Sequence, residues 1–144
     1  MTEVAFHFGA SDRLAYTCRL LRKATATGAR LQVRSSTDML AALDNALWRI
    51  QDTAFISHCT LQAPDTVQSR SAVLLQPALS TVQAQTTILV NLGDDVPQGF
   101  EQFARVIEVV SIDEGERNLA RRRWKHYTEC GYTITRHDLA SKAE

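Results

Sequence analysis

Hydrophobic and polar residues follow two different periods along the chain, and these periods predict where strands and helices lie. Apolar β-type runs predict strands at residues 4–8, 31–33, 72–75, 87–91, 106–110 and 132–135. Two helices are predicted from apolar residues at helical spacing, one capped by Ser11 or Asp12 and running to about Thr27, the other capped by Ser36 or Thr37. A short helix is predicted at 100–104 and a basic helix at about 113–129. A short extended piece at 53–56 and a polar loop at 60–70 complete the pattern.

Strands that alternate with helices predict an α/β fold, a three-layer sandwich with a largely parallel sheet. The length of 144 residues predicts a single domain over residues 1–144. The longest apolar runs are far shorter than the roughly 20 residues that cross a bilayer, and no basic leader precedes the first strand. We therefore expect a cytoplasmic protein without a membrane partner.

The sequence lacks the glycine-rich phosphate loops and the GxSxG motif that many α/β enzymes use. The loop after the first strand, residues 8–12, holds one glycine, and neither GxGxxG nor GxxxxGK(S/T) occurs, so the backbone cradle for phosphates is absent. There is no GxSxG elbow, and the acidic pairs lie in turns or beside basic residues. We expect no catalytic set and no cofactor.

Cysteine and histidine residues are too scattered to indicate a metal site. The three cysteines, Cys18, Cys59 and Cys130, include no CxxC pair, and the four histidines form no HxH or HExxH motif. This spacing favours reduced thiols and argues against a bound metal ion.

One basic stretch, residues 115–125, stands out in a chain whose formal net charge is zero. On a helix, Arg117, Arg121 and Lys125 lie at about 0°, 40° and 80°, with Trp124 at about −20° beside them. One helix face therefore carries three cations and one large aromatic side chain. Such a face can capture an anion that has an apolar group attached, such as an acidic peptide tail, a carboxyl terminus or a nucleic-acid backbone.

Simpler interpretations of the same residues stay open. The basic face can be a solvated helix surface that keeps the protein in solution. Trp124 and Arg121 can form a self-contained cation–π pair. Arg122 and Arg123 face away from the stripe, where they are either solvated or paired with acids such as Glu108 or Glu114.

Two segments carry distinctive residue patterns. Residues 43–48 read LDNALW and are followed by FISH at 55–58. Residues 119–127 read LARRRWKHY and are followed by Gly131 and Tyr132. They resemble the LDxxLW…FxPH signature, with Ser57 in place of the usual proline, and the LARxR(Y/W)KxYxxxG(Y/F) pattern of one family, the chi subunits of bacterial DNA polymerase III holoenzyme. Both lie in the family's order, and the resemblance covers most of the chain.

The resemblance implies a non-catalytic adaptor with a nucleotide-binding-like fold that lacks a phosphate loop. Chi-family proteins bind the acidic C-terminal tail of single-stranded DNA-binding protein and pair with the psi subunit, which links them to the clamp loader; a repair helicase is another partner seen in the family. Contact with DNA would then be mainly indirect. The family's tail-binding positions correspond here to the basic-helix residues Arg117, Arg121, Trp124 and Lys125, and to a pocket of Trp48, Phe55 and Val110.

Two other functions are the alternatives to a peptide-binding adaptor. The face of arginines and Trp124 can bind single-stranded DNA or RNA directly, although one aromatic ring is a small stacking platform. An enzyme or nucleotide sensor on the α/β scaffold is disfavoured by the missing glycine cradle.

Overall fold

A computed structural model describes residues 2–48, 58–60, 73–76, 88–97 and 99–139 of the chain. The strands are β1 (Glu3–Ala10), β2 (Leu31–Arg34), β3 (His58–Thr60), β4 (Val73–Gln76), β5 (Ile88–Asn91), β6 (Arg105–Ser111) and β7 (Ile134–Asp138). The helices of the described part are α1 (Arg13–Ala26), α2 (Thr37–Trp48) and α3 (Glu114–Glu129), and a 3₁₀ turn spans Phe100–Gln102.

The strands form one sheet in the order β3-β4-β2-β5-β6-β1-β7. Every pairing between them is parallel. The prediction of an α/β fold with a largely parallel sheet is thus confirmed. Parallel neighbours need crossover connections, and the described helices pack on both faces of the sheet. The central strands are mostly apolar, with buried polar residues such as Glu108 among them.

The predicted element bounds differ from the structure mainly at the edges of the sheet. The last strand was predicted at 132–135, but β7 runs from Ile134 to Asp138, so that prediction missed residues 136–138. β3 was not predicted, and its Thr60 stands where the predicted loop 60–70 begins. The rest of that loop and the predicted piece at 53–56 lie outside the described residues.

The two faces of the sheet carry separate hydrophobic cores. α1 and α2 pack on one face, where Leu21, Leu43 and Leu47 meet inward residues of β2, β5 and β6. α3 and the 3₁₀ turn pack on the other face, where Tyr127 and Phe103 meet inward residues of β1, β5 and β6. Because successive strand residues point to opposite faces, β6 contributes Val106 and Val110 to the α3 side and Ile107 and Val109 to the α1 side.

Polar side chains fix where the helices begin. The Asp12 carboxylate accepts a hydrogen bond from the Ala15 amide at 3.0 Å, and the Ser36 hydroxyl accepts one from the Met39 amide at 3.3 Å. α3 ends before Gly131, whose φ of 87° is the left-handed conformation that glycine adopts most easily. None of the helices in the described part is both long and apolar enough to span a lipid bilayer.

A buried carboxylate ties α3 to the sheet. Glu108 of β6 is fully buried and accepts hydrogen bonds from Arg123 Nε at 2.9 Å, Tyr127 Oη at 2.7 Å and Asn91 Nδ2 at 3.0 Å. Arg123 also donates to the Asp94 carbonyl oxygen at 2.9 Å. Of the alternatives left open for Arg123, pairing with Glu108 is confirmed.

Burial shifts the pKa values of two members of this network, Tyr127 and Glu108. Burial raises the pKa of Tyr127, and the nearby negative charge of Glu108 raises it further, so the hydroxyl stays a proton donor at neutral pH. Burial also raises the pKa of Glu108, and the charge of Arg123 and the three hydrogen bonds oppose that rise. The opposed charges and donors are what make a buried carboxylate tolerable here.

We expect Glu108→Gln to lower the free energy of unfolding by about 2–4 kcal/mol, because the buried guanidinium of Arg123 loses its counter-charge. Urea denaturation measures the change. The control is Glu3→Gln, since Glu3 pairs with Arg105 at 3.4 Å where both side chains are more than half exposed; that variant should stay within about 0.5 kcal/mol of the wild type. Equal midpoints for the two variants would contradict the structural importance of Glu108.

Candidate functional site

A cavity of about 340 Å³ opens between α3 and the strands β1, β6 and β7. Its apolar lining consists of Phe6, Phe8, Val110, Ala120 and Trp124. Its charged lining consists of Arg117, Arg121 and Arg136. Among the described residues that line it there is no carboxylate, so the cavity is apolar inside and cationic around it.

The floor of the cavity is built by strand alternation and register. Phe6 and Phe8 are two residues apart on β1 and therefore point to the same face. Val110 lies on the neighbouring strand β6 and is buried in the same core as Phe6. The Trp124 ring packs against Phe6 with centroids 5.0 Å apart, which closes the floor on the helix side.

Helix periodicity places the cations of α3 beside that floor. Arg117, Arg121 and Trp124 share one face of α3, as the 3.6-residue period of the sequence predicts. Tyr127 and Arg123 lie on the adjacent face and enter the core. The geometry that fixes α3 through Glu108 therefore also sets the direction in which Arg117 and Arg121 point.

Arg121 is already engaged by neighbours on its own helix. Its Nη1 donates to Asn118 Oδ1 at 2.6 Å and lies 3.8 Å from Glu114 Oε2. The Arg121 side chain is 61% exposed, so this pair is well solvated and weak. A bound anion would compete with these partners at small cost.

Arg136 of β7 lies on the opposite wall. Its guanidinium carbon is 5.7 Å from the centre of the Phe8 ring and 5.8 Å from the centre of the Trp124 ring. Of the two arginines, the cation–π partner of Trp124 is therefore Arg136, and the suggested pair of Trp124 with Arg121 is not the one the structure forms.

The structure brings together four of the seven residues taken from the family resemblance: Arg117, Arg121, Trp124 and Val110 all line the cavity. Lys125 is exposed on α3 and is not among the lining residues. Trp48 ends α2, a helix that packs on the other face of the sheet, and its side chain lies outside what is described. Phe55 also lies outside the described residues, so a role for either aromatic residue in this pocket stays a prediction.

Sequence reasoning missed Phe6, Phe8, Ala120 and Arg136 as lining residues. The signal for the first two was present, since alternation along β1 puts both side chains on one face. To predict Arg136 as a lining residue, the strand order is required as well, because β7 pairs with β1 in a register that places Arg136 opposite Phe6. The predicted last strand ended at residue 135, one residue before Arg136, whereas β7 extends to Asp138.

The loops that hold nucleotides in many α/β proteins are occupied here by internal contacts. The Ala10 carbonyl oxygen accepts from the Ile112 amide at 3.1 Å, and Asn91 Oδ1 accepts from the Gly93 amide at 3.0 Å. Arg13 donates to the Leu92 carbonyl oxygen at 2.8 Å and pairs with Glu116 at 3.3 Å. Within the residues that the structure describes, no three His, Cys, Asp or Glu side chains are grouped so as to hold a metal ion.

Chemically, the cavity suits an anion attached to an apolar group. Its volume lies at the small end of the range for ligand pockets, about 300–1,000 Å³. An aromatic or branched side chain can cover the floor, while the three guanidinium groups can donate to carboxylates in a forked geometry.

Comparison with solved structures shows a likeness of fold. The C-terminal domain of S. cerevisiae Dbp5, bound to Gle1 and IP6, is 12% identical, with a TM-score of 0.64 over 96% of this chain and 90% of that one. A second structure, of the C-terminal domain of the DEAD-box protein Dbp5, gives a TM-score of 0.58 at 12% identity, with the same coverage of both chains. At this identity the likeness concerns the fold alone.

Comparison of sequences shows the family. A protein of Pseudomonas aeruginosa named DNA polymerase III subunit chi is 30% identical over an alignment of 144 positions, which covers 96% of this chain and 98% of that protein. The family model "DNA polymerase III chi subunit, HolC" matches residues 1–135. The expectation drawn from the two motifs is thus confirmed: the chain belongs to the family of DNA polymerase III chi subunits, accessory subunits of a polymerase that serves DNA replication.

Proposed function

We propose that this chain is a non-catalytic adaptor that binds the acidic C-terminal tail of single-stranded DNA-binding protein in the cavity beside α3. Through a psi subunit it would connect that tail to the clamp loader, and a repair helicase is a further partner of the same kind. The observation that carries the proposal is the composition of the cavity: an apolar floor with guanidinium groups on both walls and no carboxylate among the described lining residues.

The chemistry of such a tail matches the cavity part by part. The tail ends in acidic residues, a proline and a phenylalanine with a free carboxylate. The phenyl ring needs an apolar slot, which Phe6, Val110 and Ala120 provide. The carboxylates need arginines, whose fork geometry suits them, and Arg117 and Arg121 supply two on the helix side.

The contact is expected to be weak and electrostatic. The cavity is small and the helix arginines are exposed, and the tail would bury one aromatic side chain in it. Interfaces of this kind have dissociation constants on the order of micromolar and depend on charge for specificity and association rate.

The psi subunit needs a separate surface. An interface with psi would be expected to use an exposed apolar patch, for example on a sheet edge or on α1. In the part of the chain that the structure describes, Ile112, at 60% exposure, is the large apolar residue that faces solvent. A single residue is too little for an interface, so the psi contact is proposed from the family alone.

Direct binding of single-stranded nucleic acid is the competing function. It draws on the same arginines, but Trp124 is half-buried against Phe6 and offers little face for a stacked base. Fluorescence anisotropy with a labelled oligonucleotide separates the two functions. Binding of the oligonucleotide without the tail peptide would favour the nucleic-acid function.

Arg121→Ala is expected to weaken the affinity for a tail peptide at least tenfold, because it removes one of the three cations of the cavity. Thermal stability should barely change, since Arg121 makes only solvated contacts on its own helix. The matched control is Arg122→Ala, which removes an exposed arginine from the same helix but outside the cavity. Isothermal titration calorimetry showing equal affinity for the two variants would refute the assignment of Arg121.

A tail peptide without its final phenylalanine is expected to bind at least tenfold more weakly than the complete peptide. The loss follows from the apolar surface that the ring would bury on Phe6 and Val110, at about 25 cal/mol per Å². A pull-down with the two immobilised peptides gives a first answer and calorimetry the ratio. Equal retention of the protein by both peptides would contradict an apolar slot.

Added salt is expected to weaken tail binding progressively, because the Debye length shortens from about 10 Å at 0.1 M to about 3 Å at 1 M. The Kd of the complete peptide should rise several-fold between these concentrations. The peptide without its acidic residues is the control and should respond much less. A salt-independent Kd for the complete peptide would argue against recognition by the arginines.

A further inference from the structure

Arg136 differs from the other cations of the cavity in how it is held. Its guanidinium lies over two aromatic rings, Phe8 at 5.7 Å and Trp124 at 5.8 Å. The two rings come from different elements, β1 and α3, so they restrict the guanidinium from two directions. A cation placed in advance loses less rotational freedom when it binds an anion.

Arg136 and Arg121 also differ in their contacts within the described part of the chain. Across residues 2–48, 58–60, 73–76, 88–97 and 99–139, no ion pair involves it. Arg121, in contrast, donates to Asn118 and pairs with Glu114, and an anion must displace those partners. Within the described residues, an anion therefore meets fewer competing partners at Arg136 than at Arg121.

The position of Arg136 relative to the floor matters as well. β7 pairs with β1 so that Arg136 stands opposite Phe6, whose ring forms the apolar floor. A peptide whose last side chain rests on that floor carries its terminal carboxylate only a few bonds from the ring. On the strand side of the floor the cation is Arg136, whose guanidinium carbon lies 5.7 Å from the centre of the Phe8 ring, and on the helix side the cations are Arg117 and Arg121.

We infer that Arg136 is the residue that fixes the terminal carboxylate of the bound peptide, and that Arg117 and Arg121 face its upstream acidic residues. The inference rests on the proposed function, since it divides the cations of that same cavity between two parts of one ligand. It makes Arg136 the determinant of specificity for a free C-terminus, because internal acidic segments have no terminal carboxylate.

The test compares two synthetic tail peptides that differ only at the C-terminus, one with a free carboxylate and one with an amide. Calorimetry gives the ratio of their affinities for each protein variant. For the wild type, the free acid should bind at least tenfold more tightly than the amide. Arg136→Gln should weaken the free acid about tenfold, leave the amide nearly unchanged and bring the ratio close to one.

The other arginines give the matched comparison. Arg121→Gln should weaken both peptides by a similar factor and keep the ratio, and Arg122→Gln should change neither affinity. Arg136→Met keeps an unbranched apolar stem between the two rings and removes the charge, so it tests the charge in a second background. It too should bring the ratio close to one.

Each outcome bears on a different statement. A wild-type ratio retained by folded Arg136→Gln or Arg136→Met overturns the inference, and so does loss of the ratio in Arg121→Gln, which would assign the carboxylate to the helix. In both cases the proposed function stands, because the wild type still binds the tail. Failure of the wild type to bind the free-acid peptide overturns the proposed function and the inference with it.

Discussion

The fully buried carboxylate of Glu108 fixes the rotation of α3 about its axis, and the cavity depends on that rotation. Arg123 and Tyr127 are four residues apart, so they form one strip of the helix, and both donate to Glu108. With that strip turned to the sheet, Arg117, Arg121 and Trp124 fall on the adjacent strip, above β1 and β7. A rotation of α3 by one residue, about 100°, would turn the arginines away from the aromatic floor.

An ionic link is a costly way to hold a helix, since charges lose hydration when they are buried, but it specifies one arrangement. A helix that packs only through apolar side chains such as Leu can shift or rotate on a sheet at little cost. The carboxylate of Glu108 accepts hydrogen bonds from Arg123, Tyr127 and Asn91, and all three bonds can form in only one position of the helix. We suggest that the network contributes more to the orientation of α3 than to its net stability. The aromatic contacts of Phe100 with Tyr127 and Tyr132 then pack the far end of the same helix.

Features that depend on local contacts could be predicted from the sequence, whereas features that depend on contacts between distant residues could not. The helix face of Arg117, Arg121 and Trp124 depends on one helical period, and the central strands depend on apolar runs, so both were predictable. Arg136 depends on the neighbourhood of β1 and β7, which are more than a hundred residues apart in the chain. No local sequence pattern indicates that β1 and β7 are neighbours in the sheet. β3 has three residues, which are too few to produce a recognisable pattern.

The same topology explains why the cavity lies beside a helix and not at the end of the sheet, where α/β proteins often bind nucleotides. At that end, described residues already contact one another: Asp12 caps α1, and Arg13 joins the end of β5 to the start of α3 through Leu92 and Glu116. The free surface is displaced to the outer part of the sheet, where β7 is an edge strand and α3 leaves β1 partly uncovered. An edge strand can carry a charged residue such as Arg136 on its face because solvent reaches it, whereas a central strand would bury that charge. The combination of an apolar floor and a solvent-exposed guanidinium is therefore available at this edge.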